Sequence, residues 1–182
     1  MTDSGELSIG PLVRPADGSD DTAKVVADLV NAVYAVAEDG MWPEGATRTS
    51  ATEIAELAGA GQLFVASLGD RIVGCVKVVQ LDARTAEFGM LAADPEVRGA
   101  GIGRALVRFA ESHAARLGNE IMQLEIIRPK DFEHPSKVFL SQWYPRMGYV
   151  PVRTEDPEVM YPELVPLLAV PCDVVVYHKR LG

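Results

Sequence analysis

The sequence predicts an α/β (α+β) chain of about seven strands and four helices, and three observations carry that expectation. Strand-like and helix-like apolar patterns follow in the order strand, helix, helix, three strands, helix, strand, helix, strand, strand. A glycine-rich corner, Arg98-Gly99-Ala100-Gly101-Ile102-Gly103, joins a strand ending at Ala93 to a helix. In that helix Ile102, Leu106, Phe109/Ala110, His113/Ala114 and Leu117 recur at three-to-four spacing, with Gly118 as its stop. Finally, no repeat, low-complexity tract or linker interrupts the chain, so residues 1–182 read as one domain with a sizeable core.

Taken in order, residues 1–6 read as a disordered tail and Leu7 to Val13 as a short strand closed by the turn Arg14-Pro15-Ala16-Asp17-Gly18. A helix capped by Asp20 or Asp21 follows, with Val25, Val26, Leu29, Val30, Val33, Tyr34 and Ala37 as its buried stripe. The loop from Glu38 to Gly45 mixes acids with Met41 and Trp42, an unusual composition for a plain connector. A second helix starts near Ser50, whose spacing to Glu53 fits a capping box, and runs to about Ala58. Gln62–Ser67 and Arg71–Gln80 read as strands around a hairpin turn at Leu68-Gly69-Asp70. Thr85–Ala93 is the strand entering the glycine corner, and Ile121–Ile127 alternates as the strand after its helix. Arg128–Pro135 reads as a polar loop, and Ser136–Met147 as a helix with Val138, Phe139, Trp143 and Met147 available for packing. Strands begin at Tyr149 and Val174, separated by the proline-punctuated stretch Asp156–Pro171, a loop with room for one helical turn.

Bulk properties narrow the function classes. Apolar and charged fractions of 48% and 24% fit an ordinary globular chain, and no apolar run has the length of a membrane span. The start MTDSGELSIG lacks a basic-then-apolar leader pattern, so the expected location is cytoplasmic. Seventeen basic against 26 acidic residues give a net charge of −9, which argues against a nucleic-acid surface and is compatible with a cationic acceptor, although acidity also serves solubility alone. Cys75 and Cys172 sit in separate apolar segments without metal-ligand spacing and read as reduced core residues.

The glycine corner suggests chemistry before any family does. A strand that turns through glycines into a helix leaves backbone N–H groups unpaired at the helix start, where the helix dipole adds positive potential. Missing side chains at Gly99, Gly101 and Gly103 let a phosphate approach the main chain, and Arg98 and Arg104 flank the turn. A tight turn with solvated arginines satisfies the same residues. A P-loop is excluded because no Lys follows the glycines, and a dinucleotide fingerprint would want glycine where Arg104 stands.

The run Arg98-x-x-Gly101-x-Gly103, preceded by Leu91-Ala92-Ala93-Asp94-Pro95, resembles the acetyl-CoA signature of the GNAT superfamily of N-acetyltransferases, with Ala93 where Val is usual. Trp143-Tyr144-Pro145-Arg146-Met147-Gly148-Tyr149 resembles the Tyr-x-x-Leu-Gly-Phe/Tyr that ends that family's fourth helix, and Ala86-Glu87-Phe88 its Ala-Glu-Ile. The resemblance spans about residues 7–180 and implies a mixed central sheet flanked by about four helices. It also implies acetyl-CoA as co-substrate, an amine acceptor and direct acetyl transfer without a metal. Carried over, Leu91, Ala92 and Ala93 would face the thioester, and Arg98, Gly99, Ala100, Gly101, Ile102, Gly103 and Arg104 the diphosphate. Tyr144 would be the general acid and Glu87 the base, with Glu125 in reserve. Trp42 and Glu44, with Glu38 or Asp39, would line the acceptor side, and Tyr161 would close the other side.

One departure concerns the helix before Tyr144: Lys137 and Ser136 occupy the region where many relatives carry Asn. His113 and His134 read as structural or solvated. A coenzyme-binding module without catalysis, a different acyl donor and a hydroxyl acceptor are compatible with the same motifs. A small-molecule or peptide acceptor, no nucleic-acid or membrane partner, and a homodimer as one option for assembly complete the expectations.

Overall fold

The computed structural model describes residues 5–13 and 21–182. Residues 1–4 of the expected tail, the turn at 14–18 and a cap at Asp20 lie outside the described residues. The elements are β1 (Leu7–Pro11), α1 (Asp21–Ala37), α2 (Ala51–Gly59), β2 (Leu63–Leu68), β3 (Arg71–Gln80), β4 (Thr85–Ala93), α3 (Ile102–Arg116), β5 (Ile121–Pro129), α4 (Pro135–Trp143), β6 (Val150–Glu155), α5 (Pro157–Met160) and β7 (Cys172–Arg180). Seven strands form one mixed sheet in the order β1-β2-β3-β4-β5-β7-β6. All neighbours are antiparallel except β4 and β5, whose parallel pairing is the crossover through α3.

Two apolar layers sandwich the sheet. On one face Val26 and Val30 of α1 and Ile54 of α2 pack with Cys75, Met90 and Ala92. On the other, Leu106, Val107, Ala110 and Ala114 of α3 pack with Phe64, Phe88, Met122 and Leu124. The α3 stripe was legible from its period, but Leu117 is 65% exposed because the helix ends at Arg116 and Leu117 serves as its C-cap. Val25 is likewise exposed, on the solvent side of α1, and Phe139 points outward from α4 at 57% exposure while stacking on Trp143.

Local chemistry explains several boundaries. Ser50 Oγ accepts from the Glu53 amide at 3.1 Å, half of the expected capping box; the Glu53 carboxylate instead takes the Thr49 hydroxyl at 2.7 Å. The extra helix, α5, starts with Pro157 at its first position, where the Asp156 carboxylate accepts from the Glu158 amide at 2.9 Å. Gly74 lets α3 approach β3: a Cβ there would lie 2.8 Å from the Ala92 carbonyl oxygen and 3.0 Å from both Ile102 and Leu106.

A bulge in β4 controls the site. Gly89 pairs with Lys77 and Ala92 with Cys75, so β4 holds one more residue than β3 between these rungs. Met90 absorbs the extra residue at φ +48, the one non-glycine residue with positive φ among those described. The alternation of side chains therefore reverses. Ala86 and Phe88 face α3, whereas Met90 and Ala92, of the same parity, face α1 and α2.

Candidate active site

β4 and β5 pair only from Thr85–Glu87 to Ile121–Gln123, and beyond that rung they separate. The separation opens a cavity of about 520 Å³ through the sheet. On one face of β5, Leu124 and Ile126 join the α3 layer; by alternation Gln123 and Glu125 take the opposite face, the side of α1. Glu87 shares that side on β4, directly opposite Gln123. Tyr144, the last residue before the turn that ends α4, sits in the α3 layer against Phe88 and Tyr149, with ring centroids 5.9 and 5.8 Å away. Both Glu87 and Tyr144 line the cavity, reaching it from opposite faces of the sheet.

Burial pushes the Tyr144 phenol well above its ordinary range, so the side chain is a neutral O–H at any working pH. Its hydroxyl has no hydrogen-bond partner among the described residues, and no buried side-chain polar atom among them lacks one, so the O–H is accessible from the cavity. The Glu87 carboxyl is held above the usual carboxylate range, first by burial and then by the neighbouring Glu125 charge; a hydrogen bond from Gln123 and the Lys77 cation act the other way. Glu87 Oε2 accepts from Gln123 Nε2 at 2.7 Å, and Glu125 Oε2 accepts from the Tyr161 hydroxyl at 2.7 Å. The structure thus brings Glu87, the reserve candidate Glu125 and Tyr161 together on one side of the sheet. Gln123 was not singled out, although a polar residue within the apolar run Ile121–Ile127 was a usable signal.

Leu91 and Ala93 line the same cavity, and Ala92, turned by the bulge, is buried beneath α1. The glycine corner lies at one end. Gly99 and Gly101 have φ of +90° and +76°, and Gly101 caps α3 in the left-handed region with no side-chain bond. The Ala100 amide donates to Val97 and the Ala105 amide to Gly101, whereas those of Gly99, Gly101, Ile102, Gly103 and Arg104 have no acceptor among the described residues. Five free donors in one turn, beside the exposed Arg98 and Arg104, form an anion cradle that fits a diphosphate. Trp143 stands over it: a Cβ on Gly103 would be 3.7 Å from the indole.

At the other end Trp42, Tyr34, Glu38, Arg48 and Leu164 line both this cavity and a second one of about 490 Å³. Glu38 is fully engaged. Oε1 accepts from Lys137 Nζ and Oε2 from Trp42 Nε1, each at 2.6 Å. Lys137 and Glu38 are only 9% and 8% exposed, so the position where relatives were expected to carry Asn holds a buried ion pair. Glu44 is exposed and lines the second cavity. Arg48 lies 5.4 Å from the Tyr34 ring centroid, and its loop is held by Asn31, whose Oδ1 accepts from the Arg48 and Thr49 amides.

The remaining candidates have structural partners. His134 caps α4, taking the Ser136 amide on Nδ1 and donating from Nε2 to the Asp39 carbonyl at 3.0 Å. His113 packs against Phe64 and Phe109. Both cysteines are free and buried, and burial pushes the Cys75 thiol up to about 12, so it is inert.

A family model for the acetyltransferase (GNAT) domain matches residues 59–151. No curated protein matches the chain. Among solved structures, an aminoglycoside 6'-N-acetyltransferase complexed with coenzyme A aligns with a TM-score of 0.69 at 17% identity, over 97% of each chain. A putative acetyltransferase of the GNAT family from Desulfovibrio desulfuricans aligns at 0.66 and 17%, over 97% of this chain and all of that one. A GNAT family acetyltransferase from Elizabethkingia anophelis with acetyl-CoA bound aligns at 0.62 and 15%, over 96% of this chain and 98% of that one. At such identities the likeness is one of fold.

Proposed function

The chain belongs to the GNAT family of acetyltransferases, and on that premise we propose that it transfers the acetyl group of acetyl-CoA directly to a primary amine. The observation that carries this reading is the slot through the sheet. It has an amide cradle at one end, a carboxylate on one face and an accessible phenol on the other. The structures of relatives bearing coenzyme A and acetyl-CoA support the choice of donor.

Acetyl-CoA supplies an activated acetyl thioester and a diphosphate. In this reading the amides of Gly99, Gly101, Ile102, Gly103 and Arg104, with Arg98 and Arg104, hold the diphosphate. Main-chain donors at Leu91–Ala93, exposed by the loss of β5 pairing, meet the negative charge that develops on the carbonyl oxygen. Glu87 takes the ammonium proton from an amine entering along Trp42 and Glu44. A lysine-like amine has a pKa of about 10.4, so reaching the neutral nucleophile at pH 7 costs roughly 4–5 kcal/mol without such help. Tyr144 donates its proton to the departing sulfur as the C–S bond breaks, then recovers it.

The experiment is a coenzyme A release assay with acetyl-CoA across amino acids, polyamines, aminoglycosides and peptide N-termini. It is paired with calorimetry of acetyl-CoA binding to wild type and Gly101→Val. Turnover with at least one amine, and binding lost in the variant, are the expected results. Tight binding without turnover on any amine would favour a non-catalytic coenzyme sensor. Unchanged affinity in Gly101→Val would remove the cradle from the reading.

A further inference from the structure

We infer that Gln123 is a positioning residue, whose amide holds Glu87 and Glu125 side by side and sets which of the two accepts the acceptor's proton. This rests on the reading of Glu87 as the base.

Hydrogen-bond accounting fixes the geometry. Gln123 Nε2 lies 2.7 Å from Glu87 Oε2 and 3.2 Å from Glu125 Oε1, so both amide protons are committed to carboxylates. Its Oε1 must then accept, and His178 Nε2, 2.8 Å away, must carry the proton. Flipping the amide would turn its oxygen toward two carboxylates. The three residues occupy one row across the sheet, since Gln123 pairs with Glu87 on β4 and with His178 on β7. That row is the last rung before β4 and β5 part, so the amide spans the point where the slot begins.

The bridge leaves the two carboxylates unequal. Glu125 accepts from both Gln123 and Tyr161. Among the described residues Glu87 accepts from Gln123 alone, with the Glu125 carboxylate beside it and the Lys77 cation acting from β3. Across the cavity stand Tyr34, Glu38, Arg48 and Lys137, while Arg153 acts on His178 from β6. The raised affinity of Glu87 for a proton agrees with this division. His178 keeps its role at every working pH, because the neutral Nε2–H tautomer and the imidazolium both donate there.

The test is the pH dependence of kcat/KM, measured with whichever amine turns over, for wild type, Gln123→Leu, His178→Phe, His178→Gln and Glu87→Gln. Losing the amide donor should make Glu87 easier to protonate. The acid limb of Gln123→Leu should then move up by about one pH unit, ~10-fold slower on that limb, with the high-pH plateau little changed. His178→Phe should shift the limb less in the same direction, and His178→Gln, which restores a donor, should return it. If Gln123→Leu does not fold, Gln123→Met, closer in length, carries the same expectation. A uniform loss at all pH values, or an unmoved limb, overturns the positioning role. An acid limb that survives in Glu87→Gln overturns the base itself. A limb lost in Glu87→Gln but unmoved in Gln123→Leu overturns only the inference about Gln123.

Discussion

Replacing Lys137 by Met removes one charge from a buried pair and leaves the other in place. Lys137 Nζ is 2.6 Å from Glu38 Oε1, both side chains are less than a tenth exposed, and among the described residues the other carboxylate oxygen binds only the Trp42 indole. Met fills most of the volume of the lysine stem, so the loss is mainly electrostatic. Breaking a buried ion pair on one side costs about 3–5 kcal/mol. Because the indole still serves Glu38, the expected loss lies at the lower end, about 3 kcal/mol, which for a chain of this size lowers Tm by roughly 6–12 °C. Glu38→Gln in the Lys137→Met background removes the stranded charge while keeping an acceptor for Trp42. It should bring stability back to within about 1 kcal/mol of wild type, as buried pairs are often replaceable by uncharged groups. Urea unfolding of the two single variants and the double variant reads this as a coupling energy. A Lys137→Met loss below about 1 kcal/mol, or a double variant no better than Lys137→Met, would refute the idea that this bridge ties α1 to α4.

Three further outcomes follow from the geometry. Tyr144→Phe keeps the ring among Phe88, Trp143 and Tyr149, so it should leave stability and donor KM nearly unchanged while lowering kcat by about 10²-fold or more, measured in steady-state assays. Glu87 binds a proton more tightly in the folded than in the unfolded chain, so its contribution to stability is complete below the unfolded value of about 4.3 and is lost as pH rises through the raised folded value. Urea melts across that window should show stability falling with pH more steeply in wild type than in Glu87→Gln. Gly74→Ala should cost about 1–3 kcal/mol by thermal melting, since the new methyl would meet the Ala92 carbonyl of β4 at 2.8 Å and Ile102 and Leu106 of α3 at 3.0 Å, which must give way.

Much of the fold is written locally. The α3 stripe, the cap at Ser50 and the two-residue turn at Gly69-Asp70 depend on neighbours a few positions away, and the sequence shows them. Val25 and Leu117 were misplaced because an apolar residue at the margin of a stripe, or one step past the last helical turn, has nothing in its own segment to bury it. The candidate site could be placed from sequence where motif and local structure coincide, at Gly99–Arg104 and Tyr144. It was opaque where partners are distant along the chain. Glu38 meets Lys137 across 99 positions, and Gln123 meets His178 across 55. The Met90 bulge left no sign at all, because methionine has no preference for positive φ and the conformation is imposed by the surrounding sheet.

The close approach at Gly74 has a consequence for how such a chain can change over time. The first turns of α3 rest on the middle of the sheet through Ile102 and Leu106, with no side chain at position 74 to hold them off, so the α3 end of the cradle is anchored to the interior. The opposite end of the slot is made of a connector and the proline-rich segment, held by the buried Met41, by ion pairs such as Lys137–Glu38 and Lys130–Asp156, and by hydrogen bonds. If the proposed reading holds, substitutions that reshape the entrance for a new amine leave the grip on the carrier untouched, and the two halves of the reaction are free to diverge at different rates.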